Sequence, residues 1–311
     1  MSLVSLLRER VPVAPLVESV LLGTSSRRPL GTNVFSREWD LLIVLDACRY
    51  DAIAGLAPEF DPVNDVNWIY SVGSSTREWA ANTFTAQHRE LIRRTAVVCS
   101  NAQVPRTLEA GNAMESPLAG RVTSWETVGP DAFHTFDAVS DYAPMDPHGG
   151  TSLPGIATDR AIRVGRETDA DRLLVHYLPP HSPFRATALR ENRPLERYEY
   201  RPFDYLRAGG DRDRVWERYL DELRWGLDEV ERLLDNVDAE RAVITADHGE
   251  LFGHLGLYSH PTGVPHPRLR RVPWLETTAV DTGEYEPSYE KPDRTHTTEE
   301  TAKQLEYLGY R

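Results

Sequence analysis

Cysteine, lysine and long apolar runs are all scarce in this chain, and each scarcity excludes something. The 311 residues include two cysteines, Cys48 and Cys99, too few for a disulfide framework. Both sit inside apolar runs, where a free thiol behaves as a small core residue. Nowhere do about 18 apolar residues follow one another, and Arg8, Glu9, Arg10, Pro12 and Pro15 break up the apolar stretches of 1–23. That pattern supplies neither an integral membrane segment nor a signal-peptide core, so a cytoplasmic location is expected. Lysine occurs only at Lys291 and Lys303; 48 Asp and Glu outnumber 35 Lys and Arg, for a net charge of −13. A field of that sign repels phosphate backbones and anionic membranes, which argues against nucleic acid as a partner.

Hydrophobic residues make up 40% of the chain, which is enough for a globular core, and its length is about twice that of a ~150-residue domain. Leu41-Leu42-Ile43-Val44-Leu45 is an unbroken apolar run of the kind buried on both faces of a parallel sheet, and it ends in Asp46. Similar runs at 68–72, 95–99, 173–177 and 242–245 are far enough apart for helices to lie between them, which predicts a mostly parallel α/β sheet. Trp216, Leu220, Leu223, Leu227, Val230 and Leu234 recur at steps of four and three, predicting a helix over 215–237 that covers the sheet. Ser75-Thr76-Arg77-Glu78 reads as a capping box that opens a second helix running to about Arg94. Further helices are expected at 159–166 and 297–308. The rest of 101–171 is rich in Gly, Pro, Ser and Thr and shows no clear periodicity.

Open parallel sheets present ligands at the carboxyl ends of their strands. Three such ends carry polar residues here: Asp46, then Gly73-Ser74-Ser75, then Asp247-His248-Gly249-Glu250. Two carboxylates, an imidazole and a hydroxyl would together suit a divalent cation, with the hydroxyl as an added ligand and nucleophile.

The run from Leu41 through Asp46-Ala47-Cys48-Arg49-Tyr50-Asp51 resembles the first metal-binding strand of the sulfatase-like branch of the alkaline phosphatase superfamily. Thr245-Ala246-Asp247-His248-Gly249-Glu250 is similar to that branch's second metal motif, His176 to Pro183 to its histidine-containing substrate strand, and Leu305 to Tyr310 to its chain ending. The acidic, lysine-poor composition also resembles that of a haloarchaeal proteome. Sulfatases carry C-x-P-x-R or S-x-P-x-R, whose first residue becomes formylglycine; here Gly73 stands four residues before Arg77, and neither cysteine begins the pattern. Ser74-Ser75-Thr76-Arg77-Glu78-Trp79 is instead similar to the nucleophile stretch of lipoteichoic-acid-synthase-like phosphotransferases.

The resemblance implies a three-layer α/β/α sandwich in one domain over 1–311, with an N-terminal extension at 1–38 and a closing strand and helix in 272–311. It implies a metal-dependent hydrolase or transferase for a small-molecule or glycan phosphate or sulfate ester. Asp46, Asp247, His248 and Ser74 would hold one divalent ion (Mn, Zn, Mg or Ca), a second ion being possible. Ser74 would attack, with Ser75 and Thr76 as alternatives. Arg77 would pair with a non-bridging oxygen, His181 would bind the anion or protonate the leaving oxygen, and His176 and His260 would line the substrate site. A sulfatase without formylglycine, or a non-catalytic binder of anionic glycans, are the competing expectations.

Overall fold

The computed structural model describes residues 13–60, 66–110, 117–146 and 151–308. The expected chain ending at 305–310 therefore lies partly outside the described residues, as does most of the 1–23 stretch. In chain order the main elements are helix α1 (Val13–Ser25), strand β1 (Leu41–Leu45), α2 (Tyr50–Leu56), β2 (Asn67–Tyr70), α3 (Thr76–Thr83), β3 (Thr95–Cys99) and α4 (Gln103–Ala110). These are followed by β4 (Thr135–Ala138), α5 (Pro154–Glu167), β5 (Arg172–Tyr177), α6 (Arg212–Leu234), β6 (Ala239–Thr245), the hairpin β7 (Leu251–His254) and β8 (Leu257–Ser259), β9 (Arg271–Ala279) and α7 (Thr298–Tyr307).

Seven strands form one sheet in the order β2-β9-β6-β1-β5-β3-β4. The pairs among β6, β1, β5, β3 and β4 are parallel, and β9 runs antiparallel to both β6 and β2. Six strands therefore point one way, and their carboxyl ends share one edge. The α/β class and the mostly parallel sheet are as expected. Right-handed crossovers then assign the helices to faces. The connections β4-α5-β5 and β5-α6-β6 step in one direction across the sheet, whereas those through α3 and α4 step the other way. Accordingly α5 packs with α6, and α3 with α4, as the outer layers of a three-layer sandwich.

The strands β1 and β3 are buried throughout and coincide with the apolar runs. The long helix lies three residues earlier than expected; of the predicted stripe Leu223, Leu227, Val230 and Leu234 are buried, together with Val215, Tyr219, Glu222, Gly226, Glu229 and Leu233, while Trp216 and Leu220 are at the margin. The second helix stops at Thr83, well short of Arg94. There Phe84 turns into an aromatic cluster with Phe35, Trp79 and Phe133, and the backbone of Phe84 and Ala86 pairs with Val128 and Glu126. Those tertiary bonds replace the helical ones. Within 101–171, α4, a short helix at Pro117–Val122 and β4 were not expected. No helix among the described residues is long and apolar enough to cross a membrane.

Candidate metal centre

Register brings the chemistry together. Val44 of β1 lies beside His176 of β5 and Thr245 of β6, and His176 also lies beside Cys99 of β3. Two residues beyond that row stand Asp46, Asp247 and Asn101, so alternation along each strand sends them to the face on which His176 lies. Past Asp46 the chain turns through Ala47 at φ 60°, a left-handed conformation that costs a non-glycine residue about 1–2 kcal/mol. The turn is held from three sides. Ala47 N–H donates to Asp247 Oδ1 (3.1 Å), Tyr219 of α6 donates its hydroxyl to the Ala47 carbonyl (2.8 Å), and Arg49 N–H donates to the Tyr219 oxygen (2.9 Å). Beyond His248, a Cβ on Gly249 would meet the Arg268 carbonyl at 2.1 Å, so glycine alone lets these two backbones approach.

The resulting cluster is buried and dominated by acceptors. His248 Nδ1 lies 2.8 Å from the Gly249 carbonyl and must donate there, which leaves Nε2 with its lone pair. That nitrogen stands 3.6 Å from Asp46 Oδ1 and 3.4 Å from Asp247 Oδ2, and neither oxygen has a hydrogen-bond partner among the described residues. Thr76 Oγ1, at the first position of α3, is 3.2 Å from His248 Nε2 and 3.5 Å from Asp46 Oδ2. Asn101 holds the other side: its Oδ1 accepts from Gln103 N–H, and its Nδ2 donates to Asp46 Oδ2.

Two carboxylate oxygens, an imidazole lone pair and a hydroxyl around one point, all fully buried, fit a divalent cation. Without one, burial and the neighbouring Asp247 push Asp46 well above the usual carboxylate range. Burial would raise Asp247 too, but the imidazoles of His248 and His176 hold it below the ordinary value. Burial also pushes His248 down to about 4, keeping the neutral form that a ligand requires.

His176 is placed differently from expectation. It is buried under the carboxylates, its Nε2 3.6 Å from Asp247 Oδ2 and its ring against Trp79 of α3, and with Asp46 and Asp247 it forms a group able to hold a metal.

Ser74 also departs from expectation as a ligand. Its hydroxyl faces Glu78 Oε2 (2.9 Å) and the Pro261 carbonyl (3.0 Å), away from the carboxylates. Glu78 is the cause. Its carboxylate does not close a capping box; it accepts from Ser74 N–H (2.8 Å), Gly263 N–H (3.1 Å), Ser25 Oγ (2.5 Å) and Arg270 (2.6 Å). Ser75 does cap α3 through the N–H of Glu78 (3.4 Å), and its hydroxyl meets that of Thr262. Thr76 is thus the hydroxyl of the three that reaches the cluster. Arg77 follows it in the first turn of α3, half-buried.

The remaining histidines form the approach. The His260 ring lies 4.5 Å from that of His248 and 4.9 Å from that of His181. His260 Nδ1 donates to buried Glu250 (3.1 Å). Burial alone would lower the His260 pKa, but the Glu250 carboxylate raises it above the ordinary value. His181, its Nδ1 donating to the Ser182 carbonyl (2.6 Å), is driven down to about 3 by burial and then by His260. A cavity of about 380 Å³ opens beside His260, lined by Ser182, Tyr200, Arg207, Ser259 and Tyr307 among others. Sequence reasoning missed Asn101, Glu78 and Glu250. Asn101 could have been found by the same strand-end rule, since it stands two residues past Cys99.

No protein-family model matches the chain, and no curated protein does. Among solved structures it is similar to the soluble domain of lipooligosaccharide phosphoethanolamine transferase A from Neisseria meningitidis, at 14% identity over 77% of this chain and 75% of that one (TM-score 0.48). A putative sulfatase from Bacteroides thetaiotaomicron matches at 10% over 87% and 70% (TM-score 0.45), and a phosphonate monoester hydrolase from Agrobacterium radiobacter at 14% over 76% and 67% (TM-score 0.34). Likeness at this level assigns no activity, so the chemistry must come from the side chains.

Proposed function

We propose that the chain is a metal-dependent hydrolase or transferase for a phosphate ester, working through a covalent intermediate on Thr76. The observation that carries this is the convergence of Asp46 Oδ1, Asp247 Oδ2 and the Thr76 hydroxyl on His248 Nε2, with neither carboxylate oxygen satisfied among the described residues. A divalent cation held by these four groups would neutralise the buried carboxylates and lower the pKa of the hydroxyl. The mixed oxygen and imidazole set, small in number, suits Zn or Mn better than Ca or Mg.

Thr76 Oγ, ionised with its proton lost to solvent, attacks phosphorus in line, forming a Thr76 O–P bond as the ester P–O bond breaks. The first amides of α3 point their partial positive charge at the transferring oxyanion, and Arg77 stands beside them to take a non-bridging oxygen. His260, whose pKa Glu250 raises, gives its proton to the departing alcohol oxygen. Water, or an acceptor alcohol, then attacks phosphorus as neutral His260 takes its proton, and Thr76 is released. His181, neutral, accepts a hydrogen bond from the incoming or outgoing hydroxyl. The cavity beside His260 lies where the alcohol portion would sit, and its polar and aromatic lining suits a small molecule or a glycan. Without the residue that formylglycine formation needs, the alternative is a sulfatase that works through a hydroxyl, and turnover of 4-nitrophenyl sulfate in place of the phosphate would favour it. A non-catalytic binder would leave the raised pKa of His260 and the placement of Thr76 without use. Incubation with Zn or Mn and 4-nitrophenyl phosphate, acid quench and peptide mass spectrometry tests the proposal. Phosphate on Thr76 is expected; turnover with phosphate on Ser74 or Ser75, or no turnover with any divalent ion, overturns it.

A further inference from the structure

Outside the metal centre the molecule concentrates positive charge in a way that its −13 balance does not lead one to expect. Arg49 from the start of α2, Arg212 from the start of α6 and Arg268 from the short helix at Pro267–Arg270 converge with His254, at the end of β7, and His266. Arg212 Nη2 lies 3.0 Å from His254 Nε2, and the His254 and His266 rings are 6.2 Å apart. Against three guanidiniums the described residues set one carboxylate within ion-pair distance, Asp51, which takes Arg49 Nε at 2.7 Å and Arg268 Nη1 at 3.4 Å. Arg49 itself is buried, its guanidinium stacked 4.7 Å from the Trp216 ring and 5.8 Å from that of Phe252, so it cannot swing away.

The imidazoles add donors rather than acceptors. His254 Nε2 must accept from the Arg212 guanidinium, so its proton is on Nδ1, a buried atom with no partner among the described residues. His266 Nδ1 accepts the Arg268 N–H at 3.0 Å, which puts its proton on Nε2. Both imidazole acceptor nitrogens are consumed inside the cluster, so the rings keep only N–H groups to offer, while the half-exposed Asp51 carboxylate is the acceptor that remains beside them. Burial first, and then the neighbouring Arg268, Arg49 and Arg212 guanidiniums and the His266 ring, push His254 down to about 4. Such like-charge crowding is costly unless an anion completes it.

We propose that Arg212, Arg268, His254 and His266, with the buried Arg49 guanidinium adding positive charge beside them, form a second, oxyanion-binding site that takes a phosphate or sulfate group. Guanidiniums match the oxygens of such groups with paired hydrogen bonds, which a chloride ion cannot exploit. The group could belong to a free inorganic ion or be a second anionic substituent on an ester held at the metal centre; the second source rests on the function proposed above.

Binding can be measured without turnover. Chelator-treated protein is titrated with sodium sulfate at constant ionic strength while the His254 and His266 imidazole resonances are followed by NMR. Saturable shifts of both rings are expected, weakened about tenfold or more in R212Q/R268Q, and a several-fold tighter affinity is expected in Asp51→Asn, which removes the competing carboxylate. Linear, non-saturating shifts, or the same affinity in R212Q/R268Q, overturn the site. In metal-loaded protein, a raised KM in R212Q/R268Q for a bisphosphorylated hexose but not for 4-nitrophenyl phosphate assigns the site to substrate, and an equal KM for both assigns it to a free ion. If neither ester is turned over, the sulfate result still decides the site, and only the catalytic reading fails.

Discussion

Two buried carboxylate corners share the first turn of α3 and could hardly differ more. Glu78 accepts four hydrogen bonds and pairs with Arg270, which is itself buried, so its charge is fully answered by protein groups. Asp46 and Asp247 are equally buried, face each other across His248, and keep one oxygen each without a partner. Burial of a carboxylate therefore says little by itself; what marks a site is burial that the protein leaves uncompensated. One corner holds the chain together, and the other has the donors that could hold a cation.

The comparison breaks most visibly in activity. Thr76→Ala should lose on the order of 10⁴-fold or more in kcat, whereas Ser74→Ala, at the satisfied corner, should stay within several-fold and lose about 1 kcal/mol of stability for one hydrogen bond. Steady-state kinetics and denaturant unfolding of the two variants check this; equal activity losses would erase the distinction. His260→Gln should cost about 10²–10⁴-fold, more for alkyl esters than for 4-nitrophenyl phosphate, whose leaving group needs no proton. Because Glu250 raises the His260 pKa, kcat should fall as pH rises through that raised value, and Glu250→Gln should move the fall to lower pH. A pH–rate profile that Glu250→Gln does not move would remove His260 as the acid.

Stability sharpens the contrast further. Glu78→Ala strands buried Arg270 and should cost about 3–5 kcal/mol with or without metal. Asp247→Asn should differ in its response to metal: in chelated protein it removes a charge that the neighbouring imidazoles stabilise and should lower Tm modestly, and it should abolish the rise in Tm that Zn or Mn gives the wild type. Thermal melts with and without metal measure both.

How much of this was legible depends on what kind of pattern each part leaves. Buried parallel strands such as Leu41–Leu45 and Thr95–Cys99 are apolar on both faces and stand out in the sequence. By contrast β4, Thr135–Ala138, is an edge strand whose Asp137 is neutralised by Arg160, Tyr142 and Lys291, contacts made across the fold that no local pattern records. The α3 helix was foreseen at its start, through the Ser75 cap, and not at its end, where Phe84 leaves for an aromatic cluster assembled from distant segments. His176 looked like a neighbour of His181 in sequence; strand geometry separates them, one under the carboxylates and the other past the strand end.

By itself the sequence determined the strand-end carboxylates and His248, because hydrophobic runs set where strands stop and a polar residue immediately beyond has nowhere else to be. It left three consecutive hydroxyls, Ser74, Ser75 and Thr76, without a means of choosing among them. Tertiary structure made that choice. Gly263 and Arg270, nearly 200 residues further along the chain, and Ser25 some 50 residues before, draw the Glu78 carboxylate onto Ser74, turn its hydroxyl aside, and leave Thr76 at the head of the helix facing the cluster. A one-residue choice of this kind depends on long-range hydrogen bonds to a buried charge, and no local spacing encodes them.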